Sequence, residues 1–245
     1  MKTRNKVLLL VMCLILIGTA SMMATMAYLV DDDYIVNTFT VGKVKIKLDE
    51  IIVDKSGTPT GTDRTEAGNE YHLLPGQTYT KDPSVTVLAD SEECYVRMLV
   101  TMNRTQAQLD QIFGAGFLPQ NFVTGWDNAV WETTGIIKEE NGAVTYEFRY
   151  REAADPTPQT FWDASRGTHS QDSQLQALFT GFKVPEEMNS TELALLGDDE
   201  TTTGVDEKFK ITVTAHAIQA AGFGDETAAW AAFDSQRQLE NNQQP

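Results

Sequence analysis

The side chains able to do chemistry are few and scattered. The histidines are His72, His169 and His216, with no i, i+4 pair and no His-Glu-x-x-His. A helical zinc site needs two such rings on one face, so no zinc motif is present in the sequence. No Gly-x-Ser-x-Gly turn offers a serine nucleophile. The cysteines are Cys13 and Cys94. Cys13 falls in an apolar N-terminal run, which leaves Cys94 without an internal disulfide partner. Cys94 opens the stretch CYVRMLVTM, where it reads either as a small buried core residue or as a reactive thiol, the former being the commoner use. His216 has the polar parity of a strand and reads as solvent-facing or hydrogen-bonded. No residue is assigned a catalytic role.

Two further groups could bind something. Asp31 and Asp33, and Asp198 and Asp199, supply carboxylate oxygens of the kind calcium takes. Neither run has the Asp-x-Asp-x-Asp-Gly spacing, and a solvated acidic loop is the simpler account; no other cofactor is indicated. Trp126, Trp131 and Trp162 gather in the middle of the chain with Tyr150 and Phe161. Exposed on a sheet they would stack on sugar rings, which makes them candidate glycan contacts; as loop anchors they would fill the core.

The 245 residues suffice for one large or two small domains, and the net charge is −16. So acidic a surface repels phosphate backbones and argues against nucleic acid as a partner. Lys2, Arg4 and Lys6 precede eleven unbroken apolar residues, 7–17, and Gly18 ends the run. That is the pattern of a secretory signal over residues 1–27, with small residues Thr25 and Ala27 placed for a cut between Ala27 and Tyr28. Its removal takes the charge from −16 to −19. The alternative is a retained anchor, since residues 7–30 carry no charge and would reach about 36 Å as a helix. Either way the remainder lies outside the cytoplasm, and the chain meets the membrane only through this segment.

Past residue 37, Phe39, Val41, Val44, Ile46 and Leu48 are apolar, with one parity shift at Gly42. This predicts a strand with one buried face and a bulge. Residues 56–69 read as an exposed loop. Strands are expected over 80–88, 94–103, 143–151, 175–184 and 209–218, and a helix over 105–113 capped by Thr105 and stopped by Gly114. Residues 116–135 read as irregular, 190–196 as a helical turn, and 225–236 as a last short helix capped by Asp225. Strands that do not alternate regularly with helices point to an all-β sandwich over residues 28–235, with a frayed, disordered tail over 236–245.

Several of these segments carry a family resemblance. Ala27, Tyr28, Asp31 to Asp33, Asn37, Phe39, Gly42, Val44 and Ile46 follow the pattern of exported proteins with the SipW-type signal peptide. These include the TasA-like biofilm matrix fibre proteins and the camelysins of Gram-positive bacteria. LLPGQTYTKDPSV, YVRMLV and the C-terminal VTAHAIQAAGF with AAWAAFDSQ are similar as well, whereas residues 104–175 match little. The resemblance implies an antiparallel jelly-roll β-sandwich, with a few short helices in loops and at the C-terminus. It implies export, cleavage by a dedicated signal peptidase, and assembly into surface or matrix fibres with other matrix components. The expected assembly strand carries Asn37, Phe39, Val41, Val44 and Ile46. Freed by cleavage, it would complete a neighbour's sheet, giving a head-to-tail homopolymer. A secreted adhesion or glycan-binding module is the alternative, and a metallopeptidase of the camelysin class a third.

Overall fold

Residues 44–151, 171–197 and 208–243 are described by a computed structural model, and all belong to one unit, Lys43–Pro245. Strands β1 (Ile46–Val53), β2 (Pro59–Thr65), β3 (Thr78–Thr80), β4 (Ser84–Val87) and β5 (Cys94–Met102) come first. Helices α1 (Gln106–Phe113) and α2 (Pro119–Phe122) follow, then β6 (Val123–Thr124), β7 (Trp131–Glu140), β8 (Ala143–Tyr150), β9 (Ser173–Gln174) and β10 (Gly181–Lys183). Helix α3 (Ser190–Leu196), β11 (Ile211–Gln219) and α4 (Glu226–Gln243) complete the chain. The strands form three sheets, ordered β2-β1-β4-β9, β3-β10-β6 and β11-β5-β8-β7, and every pairing is antiparallel. The class is all-β and sandwich-like, as expected.

Period-two patterning builds the largest sheet. Val96, Met98, Val100 and Met102 of β5 point one way and are almost fully buried. On β8, Val144, Tyr146 and Phe148 stand opposite Met102, Val100 and Met98. On β11, Val213 and Ala215 stand opposite Val100 and Met98. This face packs on Val85, Val87, Phe182 and Val184 in one continuous core. An aromatic row extends it: Tyr79 stacks on Phe182 at 5.2 Å, and Phe182 on Phe122 at 5.1 Å. Gly57, at φ +77°, turns the chain against Tyr79, where a Cβ would come within 2.7 Å of the ring.

Local chemistry fixes the ends. Thr105 caps α1 as expected: its side chain accepts from the Gln108 amide, and Gln108 Oε1 accepts from Thr105 N at 2.9 Å. Asp225 Oδ1 accepts from Ala228 N at 2.8 Å at the start of α4.

Three expectations are corrected. Part of the loop expected over 56–69 is β2, whose sequence PTGTDRT is polar because most of it is exposed. Asp54 Oδ1 closes the preceding turn by accepting from Ser56 N and Thr58 N at 2.9 and 3.0 Å. Trp131, within the stretch expected to be irregular, opens β7, whose register shifts twice against β8 and so erases the alternation. Residues 236–243, expected to fray, continue α4. Gln, Arg, Leu and Glu favour helix, and no breaker comes before Pro245.

Candidate functional site: an open strand slot beside β11

β11 pairs with β5 along one edge and, among the described residues, with no strand along the other. β1 is used unevenly. Its half Ile46–Asp49 pairs with β4, while β2 pairs only with Glu50, Ile51 and Val53. Among the described residues, the edge of the first half of β1 away from β4 and the outer edge of β11 therefore both lack a strand partner, and a groove of about 810 Å³ touches both strands. Leu48, Phe182, Leu196, Phe209, Ile211 and Val213 are among its apolar lining. Leu48, Phe209, Ile211 and Val213 pack on the core yet remain only half-buried. Such a seam, with unpaired amides and carbonyls beside apolar side chains, is what an added strand satisfies. Lys55, Lys208 and Lys210 stand on the same groove and are exposed.

Deeper on the groove, Glu50 of β1 meets Lys81 and Asn69, from the segments after β3 and β2. Lys81 Nζ donates to Glu50 Oε2 at 2.5 Å, and Asn69 Nδ2 donates to Glu50 Oε1 at 2.8 Å. Glu50 and Lys81 are 5% and 7% exposed. The Asn69 carbonyl accepts from Val53 N at 3.1 Å. The Tyr71 ring lies 6.0 Å from Lys81 Nζ, and burial raises its phenol far above the ordinary value. Alongside, Arg64 binds Asp49 at 2.6 Å and Asp82 at 2.7 Å.

The outer face of the β11-β5-β8-β7 sheet carries a second charged set, covered by α4. The Arg97 guanidinium donates to Glu147 at 2.9 Å and to Asp234, and lies 4.4 Å from the Trp230 ring. Arg151 joins Glu226 at 3.0 Å and Glu132 at 2.7 Å. His216 sits between two cations, with Arg97 Nε 3.3 Å from its Nδ1 and Arg237 Nη1 2.8 Å from its Nε2. Burial first, then these two guanidinium groups, push its pKa down to about 4. His216 is thus a neutral, hydrogen-bonded ring, and neither nitrogen is open to a metal.

The other sequence candidates fall as follows. Trp131 is fully buried, with Nε1 donating to Gln176 O at 3.0 Å and its ring against Tyr150, so it presents no face to a sugar. Trp126 is half-buried, packed on Phe148, with Nε1 donating to Trp131 O at 3.0 Å. Of the two roles open to these residues, glycan platform or core anchor, both side chains take the second. Cys94 is fully buried and burial pushes its thiol up to about 12, which fits the core role. Ile46 pairs with Val87 inside the chain's own sheet, and Val44 packs on its own core, so neither belongs to a free assembly strand. The cut site Ala27–Tyr28, the strand residues Asn37, Phe39 and Val41, the acidic Asp31, Asp33, Asp198 and Asp199, and Trp162 lie outside the described residues. Among the described residues no group of three or more His, Cys, Asp or Glu is arranged to hold a metal ion.

Sequence reasoning missed Glu50, Asn69, Lys81, Arg97 and Glu147. The first three come from separate segments and share no local pattern. Arg97 and Glu147 had a weak signal: opposite charges on the non-core parity of two strands that pair. No protein-family model matches the chain, and no curated protein or solved structure shows significant similarity to it.

Proposed function

We propose that the protein is an exported structural subunit, assembled outside the cell into surface or matrix fibres by strand donation. Residues 28–42 of one copy enter the slot beside β11 of the next. The observation that carries this reading is the open seam between the first half of β1 and β11, lined by half-buried Leu48, Ile211 and Val213. Asn37, Phe39 and Val41 supply alternating side chains for such a strand, and Asp31, Asp32 and Asp33 carry charge opposite to Lys55, Lys208 and Lys210. The N-terminal resemblance to SipW-type fibre proteins supports the same reading. The contact is heterologous, so it propagates instead of closing. Retention of the apolar leader would hold the donor strand at the membrane until cleavage frees it.

The test compares a chain starting at Tyr28 with one starting at Lys43. The longer chain forms filaments on standing. The shorter one stays monomeric with an unchanged circular dichroism spectrum. Filaments from the shorter chain would refute the reading.

A further inference from the structure

We propose that Asn69 and Lys81 become joined by an amide bond that the protein forms on itself, with Glu50 moving the protons. A primary amine, a carboxamide and a carboxylate are the three groups such a bond needs, and here one carboxylate holds the other two. Its Oε2 accepts from Lys81 Nζ at 2.5 Å and its Oε1 from Asn69 Nδ2 at 2.8 Å. The Asn69 carbonyl is polarised for attack by the Val53 N–H at 3.1 Å, and Nδ2 is further oriented by Ile51 O at 2.9 Å. Lys81 and Glu50 are nearly water-free, and the Tyr71 ring stands beside them.

The steps balance. Glu50 takes one proton from the Lys81 ammonium, leaving a neutral amine. Nζ attacks Cγ of Asn69, the C=O π pair moves to Oδ1, and the Val53 N–H holds that oxygen as charge develops. Glu50 gives its proton to Nδ2 and takes one from Nζ. The Oδ1 electron pair re-forms the carbonyl, the Cγ–Nδ2 bond breaks with its electrons on nitrogen, and ammonia leaves. Ammonia then takes the proton that Glu50 holds, which returns Glu50 to the carboxylate. The net change is lysine ammonium plus asparagine carboxamide to secondary amide plus ammonium ion, with no oxidant and no cofactor. Glu50, Asn69, Tyr71 and Lys81 all line the groove, which gives the ammonium ion a way out. The bond would tie the segment after β2 to the segment after β3, pinning the β1 side of the groove. It is independent of strand donation.

Intact-mass measurement and a tryptic digest of the purified full chain test this. The protein should be lighter than its sequence by one ammonia, allowing for any N-terminal processing read from the digest. Trypsin should fail to cut after Lys81, and residues 65–97 should emerge as one peptide, lighter by one ammonia and closed into a loop between Asn69 and Lys81. Glu50→Gln and, separately, Asn69→Ala should restore the full mass and the cut. A wild-type chain at full mass, cut after Lys81 to give the linear peptide 65–81, would overturn the proposal. So would a looped peptide that forms as completely in Glu50→Gln, since the proton-transfer role would then be wrong.

Discussion

His216 is where a single residue makes the fold sensitive to pH. Arg97, Arg237, Asp234 and Glu147 surround it, and the Phe233 ring lies 4.8 Å away. Its pKa falls from an ordinary 6.5 to about 4, because burial and the two arginines disfavour the imidazolium. As pH drops below 6.5 the unfolded chain takes up the proton first, so protons favour unfolding. The stability contributed by the neutral ring is complete above pH 6.5 and is lost as pH falls through about 4. Urea denaturation at pH 7 and pH 4 should show wild type losing about 1–2 kcal/mol more than His216→Asn, the figure being reduced for solvent screening. Equal losses in the two proteins would show that His216 is not the sensitive group.

At the scale of elements, the two edges of the largest sheet are unlike. β7 carries Lys138, Glu139 and Glu140 at its end, charges that discourage pairing with another chain. β11, ITVTAHAIQ, carries no Lys, Arg, Asp or Glu. Val213→Lys places an ammonium on the half-buried groove wall, where the stem can still cover the core while the head reaches water. The expected outcome is a folded protein, about 1 kcal/mol less stable, that sediments as a monomer, because a donated strand would have to bury that charge. Ile137→Lys on β7, at a side chain already 47% exposed, should leave assembly unchanged. Filaments from Val213→Lys would place the acceptor elsewhere. The same elements show how far the sequence could be read. β5, β8, β11 and α1 were legible because each keeps one buried face at a constant period or a capping pair at fixed spacing. β2 was not, since its exposed residues are held by backbone pairing and by Arg64, which carry no hydropathy signal. β7 hid behind its bulges. The Glu50–Asn69–Lys81 cluster was invisible because three separate segments meet only after β1, β2 and β3 are in place. The role of Trp131 stayed open in the sequence because an aromatic residue in a polar, glycine-containing stretch reads the same whether it faces out or anchors the core.

For the whole molecule, the described residues bury a continuous core and hold their buried charged groups in hydrogen bonds, and among them no strand covers the outer edge of β11. In this account the seam is the acceptor, the segment freed at Tyr28 is the donor, and export is the event that allows them to meet. The most direct measurement is N-terminal sequencing of the exported protein, followed by electron microscopy of the same sample on standing. The account predicts a chain that starts at Tyr28 and grows filaments. A retained N-terminus, or a chain starting at Tyr28 that stays monomeric, would contradict it.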